Sequence, residues 1–275
     1  MELKDKICLV AGASGTIGAS IARRFHQEGA RLALTYRTSK PERLCSDLDG
    51  DRGRATWYQL DITDRAQVQK VIGQAQNDLS PIDVLVNCTG AVGPIGPLET
   101  LDIREWIRTI EINLFGSVNL AQAVLPSMKE RGRGKLLFFS GGGAAYGRPF
   151  FSSYSSSKAA LVRFTECLGQ ELKSSNVQVN AIAPGAVNSR MWDDMRAAAG
   201  SGGAKLLEEL KQMEETGGAS PECAAGLAVF LASHRSDGLT GRLFSAIWDD
   251  WEHLENHTDK IAASDIFTLR RIPFS

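Results

Sequence analysis

The stretch KICLVAGASGTIG, residues 6–18, decides the fold. It begins with an apolar run, passes through Gly12, Gly15 and Gly18, and continues into an amphipathic segment that ends at Gly29. A short apolar run bounded by a charge and a glycine is typical of a buried parallel strand. Glycines in the next turn let the backbone approach a pyrophosphate, and a helix N-terminus offers it N–H groups. The stretch therefore predicts a strand, a turn and a helix that bind a dinucleotide, although an ordinary strand-to-helix turn has the same outline.

The same alternation of apolar runs and helical segments continues along the chain. Strands are predicted at residues 6–11, 31–36, 56–60, 82–87, 135–139, 177–182 and 242–247, and helices at 19–28, 65–77, 101–131, 221–232 and from Ser152 onward. Strands that alternate with helices favour a parallel sheet. We therefore expect one α/β domain over residues 1–247, a Rossmann-type doubly wound parallel sheet with helices on both faces.

Two segments stand apart from this pattern. Residues 190–219 are polar and rich in small side chains, and they predict a mobile lid flanking a helix. Its apolar side chains suit either the core or a substrate: Met191, Trp192 and Met195. Residues 248–275 form a C-terminal extension whose Trp248 and Trp251 could line a polar substrate. We expect the extension to dock on the domain or on a neighbouring subunit, because aromatic residues are enriched at interfaces.

Composition narrows the class of protein. The 275 residues carry a net charge of -1 from 31 basic and 32 acidic side chains, which gives no electrostatic reason to expect nucleic acid or a membrane as partner. The five cysteines are scattered and lack CxxC spacing, so neither a disulfide framework nor a zinc site is expected. Asp249 and Asp250 lack further ligands at metal-binding spacing, so no metal is expected there either. Without a signal-peptide pattern or an apolar run near 18 residues, we expect a cytoplasmic protein with reduced thiols.

Tyr154 and Lys158 form the most reactive pair in the sequence. They are four residues apart, so a helix from Ser152 onward would bring both to one face. A phenol has a reference pKa of about 10, and an adjacent cation favours its ionised form and brings it closer to a useful acid–base range. The spacing alone is common in helices, so the context must give the pair its meaning.

That context resembles the short-chain dehydrogenase/reductase family. The resemblance rests on six motifs in the family's order: AGASGTIG (11–18), LDITD (60–64), VNCTG (86–90), EINLFG (111–116), YSSSK (154–158) and APGAVNS (183–189). It implies an oxidoreductase that transfers hydride between a nicotinamide and a carbonyl or alcohol substrate. It also implies a set of cofactor-binding residues: Gly12, Ser14, Gly15, Thr16, Ile17, Gly18, Tyr36, Arg37, Asp61, Ile62, Asn87, Thr89, Gly90, Tyr154, Lys158, Pro184, Gly185, Val187 and Ser189.

The resemblance further implies the catalytic roles. Tyr154 would act as acid and base, and Lys158 would lower its pKa and hold the nicotinamide ribose. Asn113, inside a predicted helix, would hold a water that connects the lysine to solvent. Family members of this kind are dimers or tetramers joined through their long helices, so we expect a homodimer or homotetramer.

The end of the second predicted strand bears on the choice of cofactor. Folds of this kind that prefer NAD place Asp or Glu there, whereas a nearby Arg accommodates the 2'-phosphate of NADP. Here the strand ends in Tyr36 followed by Arg37. A guanidinium without a competing acid predicts NADP as the cofactor, although Arg37 could also be a solvated loop residue.

The chain departs from the family at the position of a catalytic serine. That serine usually lies 13 residues before the tyrosine and polarises the substrate carbonyl, but here the position holds Gly141 and Ser140 is one residue early. Ser140 could take the role, or the N–H groups of Gly141 to Gly143 could donate to the oxyanion. The substrate could also need less help, or catalysis could have been lost.

If catalysis of hydride transfer to a substrate has been lost, two other functions are possible. One is a redox-silent sensor or scaffold that binds the dinucleotide without turnover. The other is a lyase or epimerase that retains its cofactor, which the Gly-x-x-Gly-x-x-Gly spacing of residues 12–18 modestly favours. The candidate substrate residues are Gly141, Gly142, Tyr146 and Trp192, and the polar extension suggests a small, sugar-like carbonyl or alcohol.

Overall fold

The structure, a computed structural model, describes residues 1–48 and 54–272. Its strands are β1 (Ile7–Ala11), β2 (Arg31–Tyr36), β3 (Ala55–Gln59), β4 (Val84–Asn87), β5 (Gly134–Phe139), β6 (Val177–Ala183) and β7 (Arg242–Ser245). Its α-helices are α1 (Thr16–Gln27), α2 (Glu42–Leu48), α3 (Arg65–Asp78), α4 (Ile103–Ile110), α5 (Gly116–Arg131), α6 (Ser152–Glu171), α7 (Arg190–Ala197), α8 (Gly203–Thr216), α9 (Pro221–Ala232) and α10 (Thr258–Ala262). The predicted α/β fold is confirmed.

The seven strands form one parallel sheet in the order β3-β2-β1-β4-β5-β6-β7. The strand order reverses between β1 and β4, which are paired from Cys8 opposite Val84 to Ala11 opposite Asn87. In sheets of this kind, ligands bind outside the carboxyl ends of the strands at such a reversal. The topology therefore points to the edge where the glycine turn leaves β1.

Two apolar layers enclose the sheet. Alternate strand residues face opposite sides, so Cys8 and Val10 pack with α1, α2 and α9, whereas Leu9 and Ala11 pack with α3, α5 and α6. These strand residues are fully buried, as expected for a parallel sheet covered on both faces. In the described ranges, no helix has the length and hydropathy needed to cross a membrane.

The helix predicted over residues 101–131 is divided in the structure. A π-helical turn, Glu111–Phe115, joins α4 to α5 and contains Asn113. The Asn113 amide makes two hydrogen bonds of 2.9 Å with the backbone of Ala91, one through each of its polar atoms. A wider turn of this kind is often found at functional sites.

The segment 190–219 is more ordered than its composition suggested. It contains α7 and α8, and their apolar faces bury Trp192, Met195 and Leu206 against Phe151 and Tyr154. The small residues between the helices form a turn. The apolar spacing within each short helix outweighs the overall polarity, because burial of these side chains stabilises both helices.

The extension after β7 packs on its own domain through the residues that are described. Trp251 lies against Phe230 with ring centroids 6.3 Å apart, while Trp248 is 85% exposed. The Arg242 guanidinium donates to backbone carbonyls that follow or end α10: those of Ile261, Ala262, Ser264 and Ile266. Residues 273–275, which also belong to the predicted docked arm, lie outside the described ranges.

The turn between β1 and α1 depends on close backbone packing. Gly12 has a φ of +80°, a conformation that L side chains rarely adopt. A Cβ on Gly18 would lie within 3.0 Å of the backbone of Gly12 and Ala13. Helix α1 can therefore approach the strand only because residue 18 has no side chain.

We expect Gly18→Ala to lower the free energy of unfolding by about 1–3 kcal/mol, because its methyl group would meet rigid backbone. Gly73→Ala is the matched control, since Gly73 lies in α3 with nothing within 4 Å of the added Cβ. The control should raise stability by up to about 1 kcal/mol through helix propensity. Urea unfolding of both variants measures the difference, and equal stabilities would contradict the packing argument.

Candidate active site

The glycine turn presents backbone N–H groups at the carboxyl edge of the sheet. Gly15 and Thr16 are exposed at the start of α1, and Ser14 and Ile17 are half-buried beside them. The turn is anchored to β2, because the N–H of Gly12 donates to the Thr35 hydroxyl over 3.3 Å. The N-terminus of α1 is thus open to an anionic ligand, as the sequence predicted.

The ends of β2 and β3 form a charged cluster beside this turn. Arg37 is exposed, and its charge is near enough to act on Asp61. Burial would raise the pKa of Asp61, but hydrogen bonds from Thr63 and the charges of Arg108 and Arg37 hold it below its ordinary value. One Asp61 oxygen accepts from the Thr63 N–H and hydroxyl, and the other lies 3.6 Å from the Arg108 guanidinium. Neighbouring groups thus already contact both Asp61 oxygens.

Two further cofactor candidates lie next to this cluster. Tyr36 is half-buried, and its ring centroid is 6.5 Å from that of Trp57. Ile62 is buried against Gly116, where an added Cβ would collide with its side chain. Both side chains lie at the edge of the sheet. Because the Ile62 side chain is buried, mainly its backbone is available to a ligand.

The end of β4 connects the turn to the long helices. The Asn87 amide donates to the Ser117 hydroxyl over 2.9 Å and accepts from Thr89, so this side chain braces the strand end. Gly90 is exposed, and a Cβ there would lie 3.3 Å from Asn113 Oδ1 and 3.4 Å from Lys158 Nζ. Gly90 therefore leaves open the space in front of this polar pair.

Tyr154 and Lys158 lie on one face of α6, as the sequence predicted. Both are buried, and Lys158 Nζ donates to the Phe139 carbonyl oxygen over 2.7 Å and lies 5.8 Å from the Tyr154 ring centroid. Asn113 reaches the same helix by donating to the Ser157 hydroxyl over 2.8 Å. The structure thus brings the three predicted side chains together at the carboxyl edge of the sheet.

The electrostatics of this pair differ from the expectation that Lys158 would lower the Tyr154 pKa. Burial lowers the pKa of Lys158 to about 8, so its ammonium remains mostly protonated at neutral pH but loses its proton more readily than an exposed lysine. Burial also raises the pKa of Tyr154, and the opposing effect comes from Arg148, while Tyr146 adds to the rise. Desolvation is therefore the largest influence on the pKa of each member of the pair.

The glycine turn after β5 faces the phenol. A Cβ on Gly141 would lie within 3.0 Å of the Tyr154 hydroxyl, and one on Gly142 would lie 2.6 Å from the Tyr146 hydroxyl. The Ser140 hydroxyl is buried and donates to the Lys158 carbonyl oxygen at 3.5 Å. A side chain at residue 141 would point at the Tyr154 hydroxyl, whereas one at residue 142 would point at Tyr146 and the Ser140 hydroxyl points at the Lys158 carbonyl.

The end of β6 forms the opposite wall. Pro184 is buried, and Gly185 has a φ of +82° with Ile247 packed where a Cβ would be. Val187 is buried and pairs with Gly218 through an isolated antiparallel bridge. Ser189 precedes the first residue of α7 and is half-buried.

Arg148 and Glu209 are the main site residues that the sequence did not indicate. Arg148 stacks over the Phe151 ring, 3.6 Å from its centroid, and forms an ion pair with Glu209 of α8. Its guanidinium also lies 3.8 Å from the Met195 sulfur of α7. Arg148 therefore joins the loop before α6 to both helices that cover Tyr154. Residues 61 positions apart carry no local signal, so only the fold reveals this pair.

Comparisons with known proteins agree with this architecture. The short chain dehydrogenase family matches residues 6–200. The 3-oxoacyl-(acyl-carrier-protein) reductase FabG of Thermotoga maritima is 31% identical over 244 residues, 88% of this chain and 96% of that protein. D-threitol dehydrogenase of Mycolicibacterium smegmatis is 33% identical over 246 residues, 87% of this chain and 90% of that protein.

A solved structure of a variant actinorhodin polyketide ketoreductase with NADPH superposes with a TM-score of 0.80. Its sequence is 25% identical, and the match covers 88% of this chain and 95% of that one. The chain belongs to the short chain dehydrogenase family, whose members are NAD(P)-dependent oxidoreductases.

Because Lys158 is buried, we expect the free energy of unfolding to depend on pH. An ammonium whose folded-state pKa is about 8 rather than 10.5 destabilises the fold by about 3 kcal/mol below pH 8. This destabilisation disappears as the pH rises toward 10.5, because the unfolded chain then also loses its proton. Relative to Lys158→Met, wild-type protein should therefore gain about 2 kcal/mol in free energy of unfolding between pH 7 and 9.5. Urea unfolding at the two pH values measures this gain, and a pH-independent difference would contradict the assigned pKa.

Proposed function

We propose that this chain is an NADP(H)-dependent oxidoreductase that transfers hydride between the nicotinamide and a carbonyl or alcohol substrate. One observation carries the proposal: Tyr154 and Lys158 are buried together at the carboxyl edge of the sheet, next to Asn113. Membership of the short chain dehydrogenase family supports the same reaction class.

The residues at this edge fit a dinucleotide. The pyrophosphate would lie at the exposed N-terminus of α1, over the turn from Gly12 to Gly18. Adenine and its ribose would lie by Asp61 and Arg37, and the nicotinamide end would lie between Gly90 and Pro184, within reach of Lys158. Gly12 lets the turn pack against Thr89 at the end of β4, because a Cβ there would lie 2.9 Å from the Thr89 side chain. Gly90 has no side chain to cover Asn113 Oδ1 and Lys158 Nζ, which fits a bound cofactor.

The nicotinamide supplies the hydride when it is bound. In carbonyl reduction, Tyr154 gives its proton to the substrate oxygen as that oxygen gains negative charge. Lys158 orients the ribose, and its ammonium becomes a stronger support for the phenolate once the lid helices exclude water. Asn113 would hold the water through which Tyr154 recovers its proton.

Arg37 supports NADP over NAD. It is an exposed guanidinium directly after β2, and the residue before it, Tyr36, carries no charge that would repel a 2'-phosphate. The polyketide ketoreductase with a similar fold was solved with NADPH. Asp61, whose charge is balanced by Arg108, leaves Arg37 available to a phosphate.

Gly141 occupies the position of the family's serine in this proposal. A Cβ on Gly141 would point toward the Tyr154 hydroxyl, which supports that assignment, while the Ser140 hydroxyl is directed at the Lys158 carbonyl. The missing serine is also the observation that favours a second candidate, a redox-silent dinucleotide sensor or a lyase or epimerase with retained cofactor. Either would bind NADP without net consumption.

The substrate and assembly belong to the same proposal. The substrate would be a small carbonyl or alcohol, sugar-like ones included, and the name of the threitol dehydrogenase relative supports a polyol. Residues 1–247 would form the catalytic domain, with residues 190–219 as its lid and 248–275 as a docked extension. Exposed apolar side chains on α4 and on the π-helical turn that leads into α5 support a homodimer or homotetramer: Ile103, Ile107 and Phe115.

The reductase is tested by NADPH consumption against a panel of ketones, keto-sugars and acyl thioesters, with cofactor binding measured in the same samples. We expect consumption with at least one class and a loss of roughly 10² or more in kcat for Tyr154→Phe, which keeps the ring but removes the acid. Bound cofactor without consumption by wild-type protein would instead support the redox-neutral candidates.

The cofactor preference is tested separately at Arg37. Arg37→Ala should weaken NADPH binding by roughly 10-fold or more and leave NADH binding nearly unchanged, because only NADPH carries the 2'-phosphate. Lys40→Ala is the matched control, since it also removes an exposed cation from the same loop. Equal losses for both cofactors, or tighter NADH than NADPH binding by wild-type protein, would contradict the NADP assignment.

A further inference from the structure

The turn after β5 has two adjacent glycines, and each faces a tyrosine hydroxyl. Gly141 faces Tyr154 and Gly142 faces Tyr146. Gly141 has φ and ψ of -171° and 170°, an extended backbone that any residue adopts. The backbone conformation therefore does not require a glycine at residue 141. The glycine leaves space for the phenol, which a serine Cβ at residue 141 would displace.

Tyr146 is held between this turn and the lid. Its hydroxyl lies 2.6 Å from the position of a Cβ on Gly142, and Lys205 of α8 lies over its ring, 5.3 Å from the centroid. The side chain is 56% exposed, so it borders the open space in front of the turn. A substrate whose carbonyl oxygen meets Tyr154 would occupy that space.

The two phenols are also near enough to interact electrostatically. The phenol of Tyr146 raises the pKa of Tyr154, in the direction expected when two groups that ionise to anions are neighbours. The other charged groups around the pair are Arg148, Lys205, Glu209 and Lys158. Arg148 forms an ion pair with Glu209 and lies over the Phe151 ring, and its charge acts to lower the pKa of Tyr154.

We propose that the Tyr146 hydroxyl donates the hydrogen bond to the substrate carbonyl oxygen that the family's serine at position 141 would donate. This inference rests on the proposed reductase function. It replaces Ser140 as the side-chain donor, because the Ser140 hydroxyl is bound to backbone and Tyr146 brings another hydroxyl to the same turn.

The proposed role requires no additional reactant. Hydride from the nicotinamide forms the C–H bond as the carbonyl π bond breaks, and Tyr154 supplies the proton to the oxygen. Tyr146 keeps its own proton and only donates a hydrogen bond to the oxygen as charge develops. A phenol O–H can donate one such hydrogen bond. A donor aimed at a developing oxyanion contributes roughly 10² or more in rate.

Kinetics of point variants test the role, with the most active compound of the substrate panel. Tyr146→Phe should lower kcat by roughly 10² with little change in KM or in NADPH binding, because the lost bond strengthens in the transition state. Gly142→Ala should lower kcat similarly, since its methyl group would occupy the place of the Tyr146 hydroxyl. The double variant should be no slower than Tyr146→Phe alone.

Two control variants accompany these kinetic measurements. Gly147→Ala adds a methyl group in the same loop where nothing lies within 4 Å, and its kcat should match wild-type protein. Ser140→Ala should lose less than about 10-fold, because its hydroxyl contacts the Lys158 carbonyl. A loss of 10² in Ser140→Ala combined with an unchanged Tyr146→Phe would overturn the inference and leave the reductase intact.

An optical titration gives a readout that does not require turnover. The chain has four tyrosines, so phenolate absorbance resolves individual ionisations when wild-type protein is compared with Tyr154→Phe. Tyr146→Phe should shift the ionisation of Tyr154 to lower pH, because its neighbouring phenol is gone. An unchanged Tyr154 ionisation would overturn the proximity on which the inference depends. Absence of NADPH consumption by wild-type protein across the panel would overturn the reductase and this role together.

Discussion

The structure depends on the close contact between Gly18 and the backbone of Gly12 and Ala13. A side chain at residue 18 would lie within 3.0 Å of that backbone, so only glycine lets α1 start directly over the end of β1. This contact aims the helix N-terminus at the point where the strand order reverses. The other strand ends then surround the same point, because all seven strands run parallel.

Burial governs the chemistry at this edge. Tyr154 and Lys158 are both nearly inaccessible, and desolvation raises the pKa of the first and lowers that of the second to about 8. Each group is thereby kept nearer its neutral form in the protein alone. Helices α7 and α8 continue this burial by packing Trp192 and Met195 around Tyr154, and the Arg148–Glu209 ion pair ties α8 to the loop before α6.

The sequence predicted the parts of the molecule that rest on local periodicity. The bounds of β2 and α9 are the predicted ones. It did not predict the π-helical turn at Asn113, since that turn is set by contacts with Ala91 from a distant loop. The pairing of Tyr146 with Gly142 and of Arg148 with Glu209 also depends on tertiary packing. The rise in the Tyr154 pKa was missed because spacing gives the distance between two groups but not their desolvation.

Hydride transfer at the edge formed by the glycine turn, Tyr154 and Lys158 is the activity that we propose. The most direct measurement follows deuterium from C4-deuterated NADPH into the product by mass spectrometry, with a ketone that wild-type protein reduces. We expect one deuterium at the carbinol carbon, a single face of the nicotinamide as its source, and transfer slowed by roughly 10² or more in Tyr154→Phe. Product without deuterium, or equal transfer in that variant, would contradict the proposed activity.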